Sequence, residues 1–335
     1  MSDQPVLQIT DLTVRTPRFN LLRDIGFTIN ADERVGLIGE SGSGKSLTAL
    51  AIMGLLSEGL SATGSITVAD NELLGRKEAD VAQRRGLDFA MVFQEPMTAL
   101  NPTMRVGKQI AEIMLIHKTV GSKQAAHERA VQLLEQVELP DPQRAARAYP
   151  HELSGGQRQR AMIAIAMAND PSLLICDEPT TALDVTVQAQ VLDVILKEAD
   201  RHNAALLFIT HDLAVVALMC QRVLVMYGGR IVEAGPAAEI FTSPHHPYTA
   251  GLLGASDITK VDQDGHLMTI PGNVPPAGQF PDGCVFVSRC DYATEMCSVE
   301  PPWTVDSDTV AAGTADSTGM RNNGYACHHP LGGSA

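Results

Sequence analysis

The sequence predicts an α/β protein whose alternating strand–helix core carries an inserted α-helical subdomain, an N-terminal antiparallel β-subdomain and a small loop-rich C-terminal domain. Three observations predict it. An apolar strand, RVGLIG, runs through a glycine-rich loop into the helical pattern SLTALAIMGLL; residues 93–159 are rich in helical spacing and poor in strand signals; and four of the six cysteines crowd the last fifth of the chain.

The first element reads as strands, LQITDLTV and then RDIGFTINADERVGLIG, where apolar residues alternate and then run together. The loop that follows, Gly39-Glu40-Ser41-Gly42-Ser43-Gly44-Lys45-Ser46, matches G-x-x-x-x-G-K-[ST] between a strand and a helix that opens on Leu47. Its glycines let the backbone curl so that N–H groups line phosphate oxygens, and the helix N-terminus adds partial positive charge. Lys45 is then placed to reach β- and γ-phosphates and the Ser46 hydroxyl to ligate Mg²⁺. A glycine-rich turn that binds nothing is the plainer reading, outweighed by the flanking strand and helix and the Gly-Lys-Ser ending. The core is therefore expected to be a P-loop NTPase (RecA-like) fold that binds ATP with Mg²⁺.

The helical patterns VGKQIAEIMLIH and HERAVQLLEQVEL fill the insertion, about 93–159. Strand–helix alternation then resumes with LLICDE, VTVQAQVLDVILKEADRH and AALLFIT. The first of these ends in Asp177 and Glu178, at the strand end where open α/β sheets bind ligands. Asp177 suits a Mg²⁺-organising acid and Glu178 a residue that orients or deprotonates water. VLVMY and RIVEAG, joined by Gly228-Gly229, predict a hairpin. Periodicity fades beyond Gly254, which divides the chain into 1–254 and 255–335, with His245-His246 read as part of the linker rather than a metal site.

Composition narrows the function. No apolar run approaches the roughly 18 to 20 residues that span a bilayer, and MSDQPVLQIT lacks a basic region followed by an apolar core, so the chain is expected to be neither secreted nor membrane-spanning. A formal net charge of -14 argues against a nucleic-acid partner.

Leu153-Ser154-Gly155-Gly156-Gln157 reads LSGGQ, and with it the sequence resembles the nucleotide-binding domains of ABC ATPases. The resemblance implies that Ser154, Gly155, Gly156 and Gln157 serve ATP held on a partner subunit's phosphate loop. It likewise implies that Gln94, in FQEPMTALNP, touches Mg²⁺ and the attacking water beside the docking place of the transport domains. Ala182-Leu183-Asp184 matches the loop that crosses the dimer interface, and His211 the histidine that contacts the γ-phosphate. Lys45, Gln94, Glu178 and His211 make up the expected catalytic set. One position departs from the family pattern: where an aromatic ring stacks on adenine, the sequence offers only Phe19.

The succession HPYT, LLGA, Ile270-Pro271-Gly272, Pro275-Pro276 and GCVFVSRC resembles the C-terminal extension of dipeptide and oligopeptide importer ATPases. Cys284, Cys290, Cys297 and Cys327 are spaced C-x5-C-x6-C-x29-C. A reducing compartment disfavours disulfides; zinc would suit four thiolates but favours paired C-x2-C knuckles; an iron–sulfur cluster tolerates wider spacing; and unmetallated thiols are the third alternative. The resemblance implies a [4Fe-4S] cluster in some members. His328 and His329, beside Cys327, are alternative ligands, with an incidental position the preferred reading.

The resemblance as a whole implies an ATPase at the cytoplasmic face of the membrane, paired with a second, related ATPase, two permease subunits and an extracytoplasmic binding protein, and powering peptide import. The same machinery in relatives carries nickel or other small solutes. A soluble ABC ATPase would be expected to carry coiled-coil insertions or two ATPase domains, which this sequence lacks; a redox-sensing regulatory ATPase is the other rival.

Overall fold

The computed structural model describes residues 4–181, 183–257, 266, 268–305 and 320–332. The chain forms two compact units, one of 1–7, 29–33 and 68–208 and the other of 8–28, 34–67 and 209–335.

In the first unit the strands Ala205–Ile209, Leu173–Asp177 and Phe89–Val92 lie side by side in that order. Phe89–Val92 and Leu173–Asp177 run parallel, with Phe89 opposite Leu173 and Val92 opposite Cys176. Leu173 to Cys176 and Ala205 to Ile209 are fully buried, as strands covered on both faces must be, and this is why they read as unbroken apolar runs. Between the strands at 89–92 and 173–177 the chain is helical: Pro96–Ala99, Val106–His117, Lys123–Gln136, Pro142–Arg147 and Gly155–Ala166. Ser122 starts the third of these by accepting a hydrogen bond from the Ala125 N–H, and Asp141 starts the fourth from Arg144. Helix Val185–His202 ends on Asn203 in the left-handed conformation, φ 49°, a usual stop for a helix lacking glycine.

In the second unit the strands Asn20–Ile29, Leu7–Arg15 and Ser61–Val68 form one sheet. Buried positions along the middle strand are Leu7 and Ile9, then Leu12 and Val14; the alternation slips by one at Asp11, whose φ is 51°. Four neighbouring strands of a seven-stranded sheet lie in the order Gly324–Tyr325, Arg230–Pro236, Arg222–Tyr227, Arg34–Ile38. Arg34–Ile38 and Arg222–Tyr227 are parallel, Val35 opposite Arg222. The expected hairpin is present: Tyr227 faces Arg230 across Gly228 and Gly229, both at positive φ (57° and 75°), as a two-residue turn of matching twist requires.

The C-terminal region is loop-rich, with two short 3-10 turns at Val287–Arg289 and Glu295–Ser298, yet its end is stitched into that sheet. Glu233 pairs with Tyr325 and Ala234 with Gly324. Asn322 accepts from the Thr28 N–H at 2.9 Å and from Arg222 at 3.0 Å, and the Arg321 guanidinium lies 5.4 Å over the Trp303 ring. His245 and His246, read as part of the linker, are held by hydrogen bonds. Both backbone N–H groups donate to the buried Glu233 carboxylate, at 2.6 and 3.0 Å, and the fully buried His246 caps helix Pro247–Ser256 by accepting from the Tyr248 N–H through Nδ1.

Candidate functional site

The phosphate loop follows strand Arg34–Ile38 and opens helix Lys45–Ile52. Gly39, Ser43 and Lys45 are buried, Ser41, Gly42 and Ser46 exposed, and Glu40, Gly44 and Leu47 lie between. Only glycine fits position 39: its φ is 149°, and a Cβ there would stand 2.1 Å from the Met226 carbonyl oxygen. Gly44, at φ 109°, caps the helix without a side chain. The Lys45 ammonium donates to the Gly39 carbonyl at 2.8 Å and the Glu40 carbonyl at 3.0 Å, curling the loop around its own cation. The buried Ser43 hydroxyl has no hydrogen-bond partner among the described residues, a donor inside the loop that suits an anionic oxygen.

Glu40, one of the loop residues expected to bind nucleotide, is also engaged from within the chain. Its carboxylate is taken by Arg289, which donates to Oε2 at 2.7 Å and to Oε1 at 3.1 Å, and its backbone N–H donates to the Tyr248 hydroxyl at 2.8 Å. Neither partner was legible as functional. The one signal was an acid inside a loop built for anions, which calls for a cation nearby.

A second group of predicted residues lies in the unit of 68–208. Asp177 ends its strand 6% exposed, and Glu178 follows at φ 47°, a left-handed conformation that a long side chain adopts only when its surroundings enforce it. The Gln94 side-chain amide donates to Glu178 Oε2 at 3.1 Å and the Thr181 hydroxyl to the same atom at 3.0 Å. The structure therefore brings Gln94 and Glu178 together; Thr181 is the member the sequence did not disclose.

Ser154 and Gly155 are exposed at the start of helix Gly155–Ala166. Ser154 and Gln157 form a capping box: Ser154 Oγ accepts from the Gln157 N–H at 3.3 Å and Gln157 Oε1 from the Ser154 N–H at 2.9 Å. Gly156 is required by packing, since a Cβ there would meet Val187 Cγ1 at 2.3 Å. Asp184 caps helix Val185–His202 by accepting from the Val187 N–H at 3.0 Å, while Ala182 lies outside the described residues. His211 is exposed in a turn fixed on its C-terminal side by Asp212, which accepts from the Ala214 and Val215 N–H groups. Phe19 packs against the C-terminal region, where a Cβ on Gly278 would touch its ring at 2.5 Å.

The four clustered cysteines lie near enough to influence one another's charge. Burial raises the Cys284 and Cys290 thiols and pushes Cys327 up to about 11, and each is raised further by others of the set, Cys327 by Cys284, Cys290 and Cys297. None is in a disulfide. Among the described residues no three His, Cys, Asp or Glu side chains form a group that could hold a metal ion. His328 and His329 are engaged elsewhere, with the Val299 carbonyl and the Thr294 hydroxyl.

Comparison with known proteins accords with this geometry. The ABC transporter family matches residues 22–181, and the C-terminal region of oligopeptide/dipeptide transporters matches 232–297. The chain is 46% identical over 302 residues to the oligopeptide transport ATP-binding protein OppD of Salmonella typhimurium, covering 89% of each chain. It is 46% identical over 305 residues to OppD of Haemophilus influenzae, covering 90% of this chain and 94% of that one. Among solved structures, a dimeric ATP-binding cassette in a post-hydrolysis state with ADP and Pi has a TM-score of 0.61 at 24% identity, covering 69% of this chain and 98% of that one. CbiO1 of Clostridium perfringens, part of an ABC transporter complex, has a TM-score of 0.62 at 23% identity, covering 72% and 92%.

Proposed function

This chain belongs to the ABC transporter family, among its oligopeptide transport ATP-binding proteins, and from that premise we propose that it hydrolyses ATP to drive the import of peptides through membrane permease subunits. The observation that carries this is the phosphate loop, with Lys45 folded onto its carbonyls and a buried Ser43 hydroxyl that has no hydrogen-bond partner among the described residues.

ATP is assigned to the loop Gly39 to Leu47, with Lys45 on the β- and γ-phosphates. Ser46, Gln94 and Asp177 would hold Mg²⁺, an all-oxygen donor set of the kind this hard cation takes, and the ion would supply neutralisation of charge on the phosphates. Glu178, held by Gln94 and Thr181, takes the proton of the attacking water, and His211 contacts the γ-phosphate. Ser154, Gly155, Gly156, Gln157 and Asp184 serve the nucleotide of a second ATPase subunit, so that binding closes the pair and hydrolysis reopens it. Such a reaction is catalysed by positioning and charge rather than covalent chemistry.

In this reading residues 1–254 are the ATPase region, with its helical part at about 93–159, and 255–335 an extension. Two permeases dock beside Gln94, where helix Pro96–Ala99 has no buried residue and Met97 is 49% exposed, and a binding protein delivers the peptide. The chain acts as a peripheral subunit at the cytoplasmic face; among the described residues no helix is long and apolar enough to cross a membrane. The cysteines would be the ligands of the [4Fe-4S] cluster that the resemblance implies; what supports this is the four-thiolate donor set and its wide spacing, while among the described residues they form no group that could hold a metal ion.

The test is ATP-dependent uptake of labelled peptide by vesicles holding the full complex. Wild type is expected to couple uptake to phosphate release, and Lys45→Ala to lose both; equal uptake with Lys45→Ala would overturn the assignment.

A further inference from the structure

An acid in the second position of a phosphate loop is an electrostatic problem. The Glu40 carboxylate belongs to the same short loop whose glycines and helix N-terminus are arranged for anions, and like charges repel. The structure answers it from far along the chain. Arg289, 249 residues away, grips Glu40 with both ends of its guanidinium, at 2.7 and 3.1 Å. This bidentate fork is the strongest geometry available to a side-chain ion pair.

Arg289 is built in for the purpose. Its side chain is 4% exposed; Nε donates to the Pro271 carbonyl at 2.8 Å and Nη1 also to the Tyr227 hydroxyl at 3.3 Å. The guanidinium lies 5.8 Å over the Tyr227 ring and 5.9 Å over Phe286. Tyr227 packs in turn on Tyr248, with ring centroids 4.6 Å apart. Tyr248 also reaches the loop, its hydroxyl accepting the Glu40 N–H at 2.8 Å. Glu40 is thus held at three points: its carboxylate by Arg289, its N–H by Tyr248 and its carbonyl by Lys45 at 3.0 Å.

We infer that Arg289 is a positioning residue of the ATP site, which neutralises Glu40 and presets the phosphate loop so that its N–H groups and Lys45 meet a triphosphate without a repelling charge beside them. The inference rests on the ATP-binding reading above. It gives the C-terminal region a task in nucleotide affinity separate from any role of its cysteines. A loop ordered in advance also avoids paying for that ordering on binding.

The experiment is a double-mutant cycle on the full chain, reading ATP affinity by titration calorimetry and KM and kcat in the reconstituted complex. Arg289→Ala is expected to raise Kd and KM for ATP about tenfold with kcat within about twofold, because a bare carboxylate then opposes binding before and through the reaction alike. Adding Glu40→Gln to Arg289→Ala is expected to recover most of that loss, and Arg289→Lys to sit between Arg289→Ala and wild type. A purely structural Arg289 gives no such rescue. Wild-type affinity in Arg289→Ala, or a double variant no better than Arg289→Ala, would overturn the inference while leaving the ATP site standing. Failure of wild type itself to bind ATP would overturn the reading beneath it. Should Arg289→Ala not fold, Arg289→Lys against Arg289→Lys with Glu40→Gln decides in the same way.

Discussion

Gln94 and Glu178 meet through one oxygen, Glu178 Oε2, which Thr181 also binds, so the carboxylate is held from two sides at the mouth of a buried strand. The backbone of Glu178 is left-handed at φ 47°, so side chain and main chain are both constrained at this residue, the pattern of a group held for use.

Glu178→Gln keeps the shape of that group and removes its basicity. Phosphate release is expected to fall roughly 10²- to 10⁴-fold with ATP affinity retained. Size-exclusion chromatography with ATP should show a persistent dimer of ATPase subunits, and normal turnover would sink the assignment.

The two glycines of the exposed helix start separate packing from binding. Gly156→Ala drives a Cβ into Val187 at 2.3 Å and is expected to cost about 1–3 kcal/mol of stability. Gly155→Ala meets Leu183 only at 3.6 Å and is expected to leave stability unchanged or raise it by up to about 1 kcal/mol. Val187→Ala should relieve the first variant; urea titrations of the three proteins check the order.

His246 makes stability depend on pH. Burial pushes its pKa from an ordinary 6.5 down to about 3, so the folded chain keeps it neutral while the unfolded chain protonates it. A depressed histidine contributes stability fully above pH 6.5 and loses it as pH falls toward 3. Burial raises the neighbouring Glu233, which acts in the opposite sense, so the measurement is a difference. The stability of wild type relative to His246→Gln should drop by about 2 kcal/mol between pH 7 and pH 5. A difference independent of pH would refute it.

Full-length protein purified without oxygen is expected to contain iron and acid-labile sulfide in equal amounts, both lost together in Cys297→Ser. Zinc in place of iron, or neither element, would dismiss the cluster.

Much of this site was legible because its chemistry is local. The loop from Gly39 to Ser46 sits between its own strand and helix, and the Ser154–Gln157 capping box is spelled out by residues three apart. The Leu173–Asp177 strand announced itself by length and apolarity. What stayed hidden depends on distant pairing. Nothing in VSRC points to Glu40, and nothing around His245-His246 shows that a buried Glu233 will gather both amides, because sequence patterns register period and composition but not which loop folds onto which. Thr181 was invisible for another reason: it reaches Glu178 only through the left-handed backbone that Glu178 adopts.

The short strand Gly324–Tyr325, which pairs with Glu233 and Ala234, sets a timetable. A ribosome delivers the chain from its N-terminus, so residue 208, where one unit ends, is synthesised well before residue 325 of the other. The phosphate loop belongs to the later unit. It is therefore among the first segments synthesised, while the strand that edges its unit's sheet is among the last.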